Sequence, residues 1–133
     1  MLEPLGSEET AGVIVVTASK AVSDPQWKAD PDYQAWLTFM HKYDPDGDVT
    51  DQFTFAGYSN AVLFADVLRR CGDELTREHL MQLVNHLQNV RVPSLLSGIT
   101  LNTSPTDYNP VKQLRLERFD GHRWELFGDV LQP

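Results

Sequence analysis

The order of apolar and polar positions divides the chain into a strand, three helices and a closing hairpin. "GVIVVT" (12–17) is β-branched and apolar after a polar lead-in over residues 1–11, and predicts a buried strand. "ASKAVSDPQWKAD" (18–30) has no period, carries Pro25 and reads as a loop. Asp30-Pro31 opens a helix, because Asp caps free amides and Pro suits the first helical position. Tyr33, Trp36, Leu37, Met40 and Tyr43 then fall on one face, and Asp44-Pro45 ends the run.

The spacing places the start of a second helix near Gly57 to Asn60. Tyr58, Ala61, Val62, Ala65 and Leu68 form its stripe, Leu63, Phe64 and Val67 widen it, and Gly72 is placed to end it. A helix this apolar is expected to be covered on more than one side. Thr76 caps a third helix, with Glu78 in the first turn and Leu80, Leu83, Val84 and Leu87 as its buried face. "ITLNTSPTDYNP" (99–110) reads as a short strand and then a loop punctuated by Pro105 and Pro110. "VKQLRLERF" and "HRWELFG" flank Asp120-Gly121, a hairpin signal in which both turn residues take positive φ. The fold class is α/β, with an antiparallel C-terminal end.

A length of 133 residues suits one domain, and 41% hydrophobic with 23% charged residues is a globular composition. A net charge of −8 argues against nucleic acid and anionic membranes as partners. Cys71 is the only cysteine, which excludes an intrachain disulfide and a cysteine-based zinc site. No apolar run is long enough to span a bilayer, and "MLEPLGSEETAG" has neither the basic nor the apolar region of a signal peptide.

Asp44, Asp46 and Asp48 stand at the first, third and fifth positions of a calcium loop, but the sixth and twelfth hold Val49 and Phe55 instead of Gly and Glu. A solvated turn is the expectation, with no metal. His41, His79, His86 and His122 form no metal-binding pair at four-residue spacing. There is no nucleophile elbow and no phosphate-binding glycine loop, and Cys71 reads as a small buried hydrophobe. Neither a catalytic site nor a cofactor is expected. Phe53, Phe55 and Tyr58 lie between a turn and a predicted helix start, where outward amides favour an anionic group and aromatic rings supply walls. Alternating Phe53 and Phe55 also fit a short core strand.

The pieces "CGDELTREHLM", "NTSPTDYNP" and "WELFG", in this order and spacing, resemble the C-terminal part of solute-binding proteins of ABC importers, of the branched-chain amino acid type. The resemblance runs from about Gly12 to Leu131. It implies an incomplete type I periplasmic-binding-protein fold, with residues 12–110 in one lobe and residues 111–133 as a hinge-crossing strand and hairpin of the other. It also implies a periplasmic location, a small solute such as an amino acid, an ABC permease as partner, and lobe closure on the ligand. By position it makes Phe53, and then Tyr58, ligand contacts. A ligand-sensing regulator with the same fold is the alternative function, and a freestanding α/β binding domain is a third reading. The family is longer, with most of both lobes ahead of this region. The expectation is therefore that this chain alone is marginal or self-associates through uncovered edges and helix faces.

Overall fold

The computed structural model describes residues 10–133; the first nine residues of the lead-in lie outside the described residues. It is a mixed structure of three helices and one three-stranded antiparallel sheet. The strands are β1 (Ile14–Thr17), β2 (Leu114–Phe119) and β3 (Trp124–Leu131), in the order β1-β2-β3. The helices are α1 (Pro31–Tyr43), α2 (Gln52–Cys71) and α3 (Arg77–Val84), with a 3₁₀ turn over Pro25–Ala29.

The hairpin forms where expected, but its turn chemistry differs. Only Gly121 takes positive φ, at 102°. Asp120 instead turns the chain with its carboxylate, which accepts the N–H groups of His122 (2.7 Å) and Arg123 (2.8 Å). Further along, Leu116 pairs with Phe127 while Leu114 pairs with Leu131, so β3 carries extra residues around Gly128. Gly128 sits at φ 67°, the backbone state such an irregularity needs.

β1 forms as predicted but is not buried: Ile14 is 54% and Val16 53% exposed. β-branched residues favour the extended backbone whether or not anything covers them. Here β1 is an edge strand.

α1 starts as read. The Asp30 carboxylate accepts the N–H groups of Asp32 (3.0 Å) and Tyr33 (3.1 Å), and Pro31 follows. Tyr33, Trp36 and Met40 are buried, whereas Tyr43, one turn further on, is exposed. α2 starts five residues or more before the expected point. Asp51 caps it, accepting from the N–H of Phe53 at 2.9 Å, so Phe53 and Phe55 are helical and not a strand. The buried ridge of α2 is Phe55, Ser59, Val67 and Cys71, spaced four, eight and four residues apart with the partly buried Leu63 between, not the stripe through Tyr58 and Ala61. The Gly72 stop and the Thr76 cap of α3 are where the sequence put them. Leu87 is buried, but beyond the end of α3.

Two cores result, and α2 is the spine of both. Val22, Tyr33, Trp36, Met40 and Phe55 form the first, with the Trp36 and Phe55 rings 4.8 Å apart. Val67, Cys71, Leu87, Val90, Leu95, Leu96, Ile99 and Leu101 form the second, against which Leu126 and Val130 of the hairpin pack. Most of that second core comes from residues 85–113, which hold neither helix nor strand. The short strand expected at 99–110 is reduced to isolated bridges at Leu101, to Val90 and Val111.

Lys20 ties the segment after β1 to the start of α1. Its side chain is 2% exposed, and its ammonium donates to Asp30 (2.8 Å) and Asp32 (3.1 Å). Gln52 adds a tie from α2, donating to the Lys20 carbonyl (3.0 Å) and accepting the Val22 N–H (3.0 Å). A buried cation is tolerated because it is paired on the spot. Burial alone would raise the Asp30 pKa. The Lys20 hydrogen bond, the charge of Lys20 and the N–H groups of Tyr33 and Asp32 outweigh it and hold the carboxyl below its ordinary value.

Candidate functional site

The unburied face of α2 meets α1 in an apolar groove. Phe39 and Tyr43 are one turn apart on α1, with rings 4.9 Å apart, and the Tyr58 ring lies 5.1 Å from Phe39. Tyr58 projects from the second turn of α2, held at that angle by the early start that Asp51 fixes. Ala61, Val62 and Ala65 continue the lining, and their small side chains keep the groove open. Gly57 borders open space: a Cβ there would meet nothing within 4 Å.

The groove encloses about 530 Å³, within the range of small-molecule sites. Asp44, Thr54 and Arg69 supply its polar groups. Outside the lining, the Lys42 ammonium lies 4.8 Å from the centre of the Tyr43 ring, which packs on Phe39. What the arrangement offers is one aromatic wall, open to water along its length. It can take the apolar part of a ligand, but it holds no nucleophile paired with a base.

The structure brings Tyr58 into this groove and leaves Phe53 out of it. Phe53 is in the first turn of α2, 84% exposed, and is not among the lining residues. The Phe53 amide in the first turn of α2 is already taken, because the Asp51 carboxylate accepts it. Sequence reasoning passed over Phe39. Its signal was available: it sits beside the buried Tyr33, Trp36 and Met40 series and one turn before Tyr43, the position of a second apolar face.

The aspartate-rich segment between the helices is a turn. The Asp48 carboxylate accepts both the N–H (2.7 Å) and the hydroxyl (2.6 Å) of Thr50, and these bonds hold its pKa below the ordinary value. Among the described residues, no group of three His, Cys, Asp or Glu side chains is placed to hold a metal. Asp24, Gln26, Arg123, Trp124, Glu125 and Leu126 line a second, polar hollow of about 390 Å³. Its charges are already engaged: Arg123 donates to Glu125 at 2.8 Å, and Asp24 accepts from Gln26 at 2.7 Å.

No family model matches this chain, and no curated protein or solved structure matches it either. Among the described residues, no helix is long and apolar enough to cross a membrane.

Proposed function

We propose that this chain is the C-terminal part of an extracytoplasmic solute-binding protein of an ABC importer, with the type I periplasmic-binding-protein fold. Its solute is an amino acid or a related small carboxylate or amide. Support comes from the order of the motif pieces "CGDELTREHLM", "NTSPTDYNP" and "WELFG"; the mixed structure of three helices and an antiparallel sheet is compatible with an α/β fold. The observation that carries the reading is the one-walled aromatic groove at Phe39 and Tyr58.

A receptor of this kind grips its solute between two lobes. Each wall alone contributes part of the contact, and closure excludes water from both. In this reading Phe39 and Tyr58 pack against the aliphatic part of the solute, and the opposing wall comes from the other lobe. Residues 111–133 belong to the connection between lobes, and the loaded protein docks on its permease in the periplasm.

Titration of the ¹⁵N-labelled chain with leucine, isoleucine, valine and their amides tests this. One wall supports binding no tighter than about 1 mM. The expected result is saturable amide shifts at Phe39, Tyr58 and Ala61 that vanish in Tyr58→Ala and survive in Phe53→Ala. Shifts elsewhere, shifts that Tyr58→Ala leaves intact, or none with any of these solutes would remove the site and the reading with it.

A further inference from the structure

The two sides of α2 are built differently. The ridge through Phe55, Ser59, Val67 and Cys71 is spent on the two cores. On another face Thr54, Gly57, Ala61, Phe64 and Leu68 follow one another in alternating steps of three and four residues, and none of them is buried. Such steps form the seam of a helix that packs lengthwise on a second helix. Phe64 within the seam is 53% exposed, and Phe53 beside it is 84% exposed.

The seam holds one large side chain and one gap. Phe64 stands out of it, and two turns earlier Gly57 has no side chain and borders open space. Ala61 lies between them. Its charges are also uneven. From the cap to the end of the helix only Asp51, Asp66, Arg69 and Arg70 are charged. Asp66 and Arg70 neutralise each other at 2.6 Å. That leaves an acid, Asp51, at the first end and a base, Arg69, at the other. Arg69 is exposed and has no ion-pair partner among the described residues.

We propose that α2 packs antiparallel on α2 of a second copy, about a two-fold axis at Ala61. A second copy is the occupant because the seam is complementary to itself. With Ala61 on Ala61, Phe64 of each copy falls over Gly57 of the other, a knob into an open hole, and Leu68 meets Thr54 at both ends. Arg69 of each copy reaches Phe53 and the Asp51 end of the other, where the guanidinium meets an aromatic face and an opposite charge. Parallel packing would instead set Phe64 against Phe64 and Arg69 against Arg69. Antiparallel packing also opposes the two helix dipoles. The same patch serves on both copies, so the assembly closes at two. Gly57 and Ala61 border the Tyr58 groove as well, so the seam runs along the groove's edge.

Light scattering on the intact chain tests the pairing, and thiol cross-linking tests its direction. The expected mass is twice that of the chain. Phe64→Glu, at an exposed position, returns it to the single-chain mass with an unchanged circular dichroism spectrum. Phe53 and Arg69 stand about 24 Å apart along one helix, so only antiparallel packing brings the one to the other. A Phe53→Cys chain mixed with an Arg69→Cys chain is then joined by a short bismaleimide. Neither chain alone is joined, and the buried Cys71 leaves the unaltered protein unjoined. Should Phe64→Glu unfold, the mixed cross-link decides alone. A single-chain mass for the unaltered protein, a double mass that folded Phe64→Glu leaves intact, or Phe53→Cys joined to itself while the mixture is not would overturn the proposal. None of these outcomes depends on whether amino acids bind at Tyr58.

Discussion

The two cores bury similar side chains but satisfy their backbones in different ways. Around Trp36 and Phe55, the amides are spent inside α1 and α2, and aromatic rings fill the space between the helices. Around Leu96 and Ile99 the backbone makes only isolated bridges, such as those of Leu101 to Val90 and Val111, and single side chains complete what these leave open. The Thr103 hydroxyl donates to the Val84 carbonyl (2.5 Å) and accepts the Leu87 N–H (2.9 Å). Ser59 accepts the Ser94 N–H at 3.0 Å, Asn102 accepts that of Asn89 at 2.9 Å, and Gln113 accepts that of Thr100 at 3.0 Å. A helical core is therefore sensitive to lost volume. A core of irregular chain is sensitive to lost polar atoms, since removing Ser59 or Thr103 would orphan a buried or part-buried partner.

The largest effect should come from volume in the helical core. Trp36→Ala removes a fully buried ring that touches both Tyr33 and Phe55 and is expected to cost about 3–5 kcal/mol, read from the shift of a urea melt. Next comes Thr103→Val, which keeps the shape and removes only the hydroxyl; the expected loss is about 1–3 kcal/mol. The comparable shape-preserving change in the other core, Met40→Leu, is expected to cost less than about 1.5 kcal/mol. If Met40→Leu proves the more damaging of the two, the contrast between the cores fails.

The smallest effects are in pH. Asp30 has a lowered folded pKa, so its contribution is present above the unfolded value of about 3.9 and is lost as pH falls through the folded one. Glu117 behaves oppositely. Burial, and then the charge of Asp24, raise its pKa, so its contribution is full below the unfolded value of about 4.3 and is lost as pH rises through the folded value. Glu117→Gln is expected to raise the urea midpoint at pH 7 and to leave it unchanged near the acid end. A midpoint lowered at pH 7 would mean that the charged carboxylate is stabilising the sheet.

What could be read in the sequence follows the same division. Helix stops and caps were legible because one residue decides each of them: Asp30-Pro31, Gly72 and Thr76 act through their own backbone. The start of α2 was not, because Phe53 and Phe55 alternate as strand residues do and the Asp51 cap has no apolar period before it. The burial of Leu95, Leu96 and Ile99 was invisible to periodicity, since the fixing bonds come from Ser59, Ala18 and Gln113, distant in sequence. Tyr58 was singled out as an aromatic near a helix start, and it lines the groove. Phe53 stood ahead of it through its position in the resemblance, and the earlier start of α2 leaves its ring exposed.

Cys71 ends α2 inside the irregular core, and it is the only thiol in the chain. A thiol reagent can reach it only when that half of the molecule opens. Its labelling rate is therefore a clock for one core and silent about the other. Ticking faster than global unfolding would mean that the part held by scattered side-chain bonds breathes while the helical part stays shut.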